Sequence, residues 1–328
     1  MKPVKEFKAS VDLSKIPIEK WVKERMYAQG YRFVGRHSAV KICEWTKKCI
    51  RGEDSCYKNK FYGIESNRCV QMSPAAIFCD FNCIHCWRSL NFRLPDREFK
   101  WDKPEDIYEG CMKAHKEIIQ GFKGKGFEKL DKNKFKEAEE PKHFAISLSG
   151  EPTLYPYLPE FIDLLNKNGK TSFLVSNGAH PEMLKKLIKS PPTNLYITLP
   201  APDEETFEEE SCAKIIDGWK RINESLSLLN KFKCKTVIRL TLNKKTNMHS
   251  PEKYAELIEK YSPDFVECKG YMAIGGAREK LGVEAMPWHK EVKKFAKEIT
   301  KNCSYKIVGE KENSCVVLLS SSDKNTLN

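Results

Sequence analysis

No apolar stretch of this 328-residue chain is long enough to cross a bilayer, which takes about 20 residues. The longest apolar runs, such as Phe144 to Leu148 and Val316 to Leu319, are far too short. The opening Met1-Lys2-Pro3-Val4-Lys5-Glu6 lacks the apolar centre of a secretory signal, so a soluble cytoplasmic protein with no membrane partner is expected. No repeat of about 20 to 50 residues is visible, which excludes a solenoid. A reducing compartment in turn argues against a disulfide framework, although the chain carries 13 cysteines. Seven lie between Cys43 and Cys86, where metal binding or catalysis is the better account. Cys111, Cys212, Cys234, Cys268, Cys303 and Cys315 are scattered and read as small buried hydrophobes.

Hydrophobic residues form 40% of the chain, enough for a real core, and the net charge is +12. Residues 1–75 hold sixteen Lys or Arg against eight Asp or Glu, so most of the excess sits there. Such a field suits a polyanion, above all nucleic acid, although high lysine content also serves solubility.

Residues 14–29 have helical spacing, with Ser14 as N-cap and Gly30 as stop. The run from Ser73 to Phe78 reads as the approach to a first buried strand, ending just before a cysteine cluster. Strand-like runs follow at 143–150, 171–178, 194–202, 236–243 and 264–271. Helical stretches separate them at 158–168, 180–189, 203–230 and 251–261. Strand and helix alternate, which predicts an α/β fold with a parallel sheet, a partial (βα)6 TIM-like barrel. The division is residues 1–72 as a cysteine-bearing extension, 73–310 as the barrel, and 311–328 as a strand and tail disordered from Ser320. A charged surface insertion is expected at 121–142.

Cys79, Cys83 and Cys86 form a C-x₃-C-x₂-C loop, three soft thiolates able to hold one metal centre. Iron–sulfur and zinc both remain open; structural zinc wants four ligands, and no partner pair sits at the usual distance. Gly150-Glu151 and Ser176-Asn177 follow successive strands, at the barrel face where active sites are built.

With His85 before its third cysteine, this loop resembles the signature of the radical S-adenosylmethionine (SAM) superfamily. The resemblance implies a 4Fe–4S cluster held by Cys79, Cys83 and Cys86, with one iron left for SAM. It also implies a 5′-deoxyadenosyl radical, and a SAM pocket involving His85, Gly150, Glu151, Ser176 and Asn177. Ser149 stands where that superfamily usually has a first glycine.

Cys43, Cys56 and Cys69 are spaced 13 and 13 apart, with Cys56-Tyr-Lys-Asn-Lys-Phe-Tyr-Gly-Ile64 and Arg68-Cys69-Val70-Gln71. This pattern resembles the archaeal 4-demethylwyosine synthase family of wybutosine biosynthesis, over about Tyr31 to Gly276. The resemblance implies a second 4Fe–4S cluster on Cys43, Cys56 and Cys69. Its substrate would be N1-methylguanosine 3′ of the tRNA(Phe) anticodon, joined to two carbons of pyruvate. Pyruvate is held either by the open iron of the second cluster or as a Schiff base on a lysine, Lys58 first and Lys269 second. Cys49 falls outside the spacing and is kept as a substitute ligand. Thr198-Leu199-Pro200-Ala201-Pro202 departs from the Leu-Asp-Ala-Pro expected in that family. No flavodoxin-like region is present, so an external ferredoxin- or flavodoxin-type donor is expected, and a monomer.

Tyr57, Phe61, Tyr62 and Trp87 are candidates to stack on a flipped base, or else are core. Two competing readings remain: another two-cluster RNA-modifying radical SAM enzyme such as a methylthiotransferase, and a zinc RNA-binding module without chemistry.

Overall fold

The computed structural model describes residues 16–88, 94–124 and 129–321. Helix α1 (Lys20–Ala28) begins later than its periodicity predicts, and Pro17 disfavours the helical conformation at Ile16 before it. Gly30, in the left-handed region at φ +89°, follows its C-terminus; Ser14 lies outside the described residues. A hairpin of β1 (Arg32–Val34) and β2 (Ser38–Lys41) leads to α2 (Glu44–Ile50) and α3 (Tyr57–Tyr62). At seven and six residues these two helices are too short to show periodicity, and the sequence gives no sign of them.

The first barrel strand is β3 (Cys69–Ser73), not the apolar run before Cys79, and the division drawn at 72/73 runs through it. Residues 74–77 form a turn instead. Five more parallel strands follow: β4 (His143–Ile146), β5 (Thr171–Ser176), β6 (Asn194–Thr198), β7 (Lys235–Leu242) and β8 (Phe265–Gly270). β3 to β8 pair in sequence order, the six βα units of a partial barrel. At one edge β2 joins β3 antiparallel. At the other, β10 (Val316–Ser321) joins β8 and pairs with β9 (Tyr305–Lys311). Ser320 and Ser321 are therefore strand rather than tail, and 322–328 lie outside the described residues.

The outer layer comprises α4 (Pro104–Gln120), α6 (Leu158–Lys167), α7 (Pro181–Leu187), α10 (Pro251–Tyr261) and α11 (His289–Thr300). The long helix read at 203–230 is two, α8 (Glu204–Ser211) and α9 (Gly218–Ser227), broken where Cys212 turns to φ 42°. Cys212 is also exposed, unlike a buried hydrophobe. The segment 121–142 carries α5 (Lys132–Ala138), whose Phe135 and Ala138 are buried against Ile42, Ile50 and Ile119. It is thus docked through an apolar face; 125–128 lie outside the described residues.

Alternation sorts the strand residues into two cores. Val70, Met72, Ile238, Leu240 and Val266 face outward to the helices. Phe173, Tyr196, Val237 and Phe265 face inward and pack with Tyr57 and Phe61 of α3. Helix α3 therefore fills one end of the barrel interior, and the remaining inner space is the site.

Candidate functional site

A cavity of about 430 Å³ occupies that space, and the thirteen residues expected to hold the clusters, SAM and pyruvate line it. They include both cysteine triplets, His85, Gly150, Glu151, Ser176, Asn177, Lys58 and Lys269. Strand β3 links the triplets: Cys69 opens it facing inward, and the loop beyond its other end carries Cys79, Cys83 and Cys86. At about 3.3 Å per residue the strand alone separates them by roughly 13 Å. Cys49 is elsewhere, buried, its thiol 3.7 Å from Asn67 Oδ1.

The donor sets fit a cationic cluster. Burial, then the neighbouring thiols, pushes Cys56 up to about 11 and Cys69 up to about 12. Cys79 and Cys83 are pushed well above the usual thiol range, also chiefly by burial. Thiols buried in this way give up their protons readily only to a bound cation. Among the described residues no three His, Cys, Asp or Glu side chains converge as ligands of one bare metal ion. An iron–sulfur cubane instead offers each thiolate its own iron.

The radical-type loop is anchored by backbone pairing to the end of α8: Asn82 N donates to Ser211 O (3.0 Å) and Ile84 N to Glu210 O (2.9 Å). Glu210, fully buried, lies 2.9 Å from His85 Nδ1 and accepts from Asn243 Nδ2 (2.5 Å) and Thr246 Oγ1. His85 is thus oriented by a carboxylate, and Lys280 Nζ donates to the Cys83 carbonyl at 3.2 Å.

Gly150 has φ +69°, and a Cβ there would overlap the Ala75 carbonyl oxygen, so only glycine fits. Its neighbour Glu151 is tied by its N–H to Phe78 O at 2.8 Å. The buried Glu151 carboxylate accepts from Ser176 Oγ (2.8 Å), Asn177 N (2.7 Å), Thr153 N (3.0 Å) and Thr153 Oγ1 (2.6 Å). Asn177 Nδ2 in turn donates to buried Asp80 at 2.8 Å. The Gly-Glu and Ser-Asn pairs and the loop therefore form one hydrogen-bonded unit.

Deeper in the cavity the two lysines differ. Lys269 donates to Ser314 O at 2.6 Å. Lys58 Nζ lies 4.5 and 4.9 Å from the ring centroids of Tyr196 and Phe173 and makes no hydrogen bond to a described residue. Burial, then Arg239, lowers the pKa of both. Tyr57 and Tyr62 donate to Glu267 at 3.1 and 2.9 Å and Phe61 is fully buried, so none of the three is free to stack on a base; Trp87 lines the cavity.

Sequence reasoning missed Asp80, Glu210, Arg239 and Glu267. The available signal was charge inside apolar strands, Arg239 in TVIRLTL and Glu267 in FVECKG.

Residues 128–258 match the family model for the Radical SAM superfamily, and fold and cavity together define an enzyme of that class, which uses SAM and an iron–sulfur cluster. Residues 260–321 match the model for wyosine base formation. The chain is 48% identical to an S-adenosyl-L-methionine-dependent tRNA 4-demethylwyosine synthase of Pyrococcus abyssi, over 90% of this chain and 87% of that one. It is 42% identical to the one from Methanocaldococcus jannaschii, over 90% and 94%. A structure of TYW1 with a lysine-pyruvate adduct bound superposes with TM-score 0.84 at 41% identity, covering 93% of this chain and 97% of that one. The chain belongs to the tRNA 4-demethylwyosine synthase family.

Proposed function

We propose that this enzyme converts N1-methylguanosine 3′ of the tRNA(Phe) anticodon into tricyclic 4-demethylwyosine, using two carbons of pyruvate. The supporting observation is that both cysteine triplets and an unpaired lysine share one cavity. Cys79, Cys83 and Cys86 hold one 4Fe–4S cluster, and Cys43, Cys56 and Cys69 hold a second. When bound, SAM and the first cluster supply a 5′-deoxyadenosyl radical that takes a hydrogen atom from the N-methyl group.

The chain's own residues do the positioning. Glu151 fixes the end of β5, so Ser176 and Asn177 present a preformed edge to SAM beside Gly150. His85, oriented by Glu210, completes that pocket. Lys58 holds pyruvate as a Schiff base. Its Nζ has no hydrogen bond to break, whereas Lys269 must leave Ser314. The lysine–pyruvate adduct of the TYW1 structure supports a lysine over iron chelation. The net charge of +12 suits tRNA phosphates. Among the described residues no helix is long and apolar enough to cross a membrane. We place the enzyme in the cytoplasm as a monomer, reduced by a ferredoxin- or flavodoxin-type donor.

The test is anaerobic turnover of N1-methylguanosine-bearing tRNA with SAM, a reductant and pyruvate labelled at single carbons. Label from C2 and C3 is expected in the new ring, and label from C1 is expected to be lost. No incorporation, or retention of C1, overturns the proposal.

A further inference from the structure

The cavity holds a guanidinium that the scheme above does not use. Arg239 faces inward on β7, between Val237 and Thr241, and lines the same cavity as Lys58. One edge is committed: Nε and Nη2 donate to Glu267 Oε2 at 3.2 and 2.7 Å, and Nη2 donates to Tyr57 OH at 2.6 Å. Nη1 makes no hydrogen bond to any described residue. Arg239 is thus clamped in place by a fully buried carboxylate while its other edge remains available.

Arg239 Cζ lies 4.9 Å from the Tyr196 ring centroid, and Lys58 Nζ lies 4.5 Å from the same centroid. Both groups therefore flank one ring of one cavity, where a small molecule whose carboxylate is bonded to its carbonyl carbon can meet both. The free Nη1 edge of Arg239 is a donor that a carboxylate oxygen in the cavity can accept from.

We infer that Arg239 is the carboxylate-binding residue of the site, its Nη1 edge holding a 2-oxo acid while Lys58 takes the adjacent carbonyl carbon. The inference rests on the Schiff-base reading above. In that step neutral Lys58 Nζ bonds to C2, and the carbonyl oxygen leaves as water with the two amine protons, giving the imine. Arg239 selects 2-oxo acids over neutral ketones and fixes the direction of the C1–C2 bond.

The experiment traps the imine on Lys58 of the cluster-loaded enzyme with cyanoborohydride, using graded pyruvate or its neutral analogue pyruvamide, and follows the modified lysine by peptide mass spectrometry. A charge-assisted hydrogen-bonded pair predicts that wild type half-saturates with pyruvate at about 10- to 100-fold lower concentration than with pyruvamide. In R239Q/E267Q, where no buried charge is left without its partner, that preference should collapse to near unity. R239K keeps a cation beside Glu267 but lacks the second donor edge; it should lose most of the preference, and serves if the double variant does not fold. Retention of the full preference in the folded variants overturns the role of Arg239. Absence of any pyruvate adduct on wild-type Lys58 overturns the Schiff-base reading, and this inference with it.

Discussion

Replacing Gly150 by alanine separates two costs that usually arrive together. At φ +69° an L side chain costs about 1 to 2 kcal/mol of backbone strain wherever it sits. At Gly150 the new Cβ also overlaps the Ala75 carbonyl and comes within 2.5 Å of the Phe78 carbonyl. Neither oxygen belongs to a flexible side chain, and Phe78 O already accepts from Glu151 N. Forcing such a shift in packed backbone adds about 1 to 3 kcal/mol, for a total of roughly 2 to 5. Gly169 provides the control, with φ +64° and nothing within 4 Å of its Cβ position, so G169A carries strain alone. Thermal melting of the two variants should show G150A well below G169A. G150A should also bind SAM more weakly, because Glu151 carries the hydrogen bonds to Ser176 and Asn177. If the two variants melt together and bind SAM alike, the close approach of Gly150 to the cysteine loop is not what positions Glu151.

Alanine at Cys43, Cys56 and Cys69 together should lower anaerobically reconstituted iron from about eight to about four per chain; four in both proteins would refute the second cluster. Acid should destabilise the fold through His37. Burial holds its pKa at about 4, against 6.5 in the unfolded chain, while its Nε2 accepts from Asp102 N at 2.8 Å. The unfolded chain therefore binds the proton first, and stability present above pH 6.5 falls as pH drops toward 4, by about 3 kcal/mol. Denaturation of H37Q across that range should lose one proton's worth of pH slope, and an unchanged slope would show that His37 titrates normally.

How much of this was legible depends on how far apart in sequence the cooperating residues lie. Cys79, Cys83 and Cys86 announce themselves because one loop holds all three. Strands β4 to β8 are visible as apolar runs, and their order follows from the short helical crossovers between them. Strand β3 was misplaced for a physical reason: its inward positions Cys69, Gln71 and Ser73 are polar, and only Val70 and Met72 reach the outer core. An apolar neighbour, Ala75 to Ile77, looked more like a strand and is a turn. The pairing of Arg239 with Glu267 was invisible because no rule of sequence says which face of a barrel strand is inside. His85 with Glu210 was hidden by a separation of 125 positions in sequence.

Register is what makes β3 the central element of the site. Cys69 and Gln71 line the cavity while Val70 and Met72 bury outward, so the strand serves both the chemistry and the core. Its parallel pairing sets Cys69 opposite His143 and Met72 opposite Ile146, with β2 pairing along its other side. A slip of one residue would turn Cys69 toward the helices and bring Val70 into the cavity, breaking the second triplet and the core together. The same register fixes the separation between the two triplets, because both hang from one extended strand that cannot lengthen. The substrates must fit the gap that this strand sets, and the charged groups of β7 and β8 line the opposite wall.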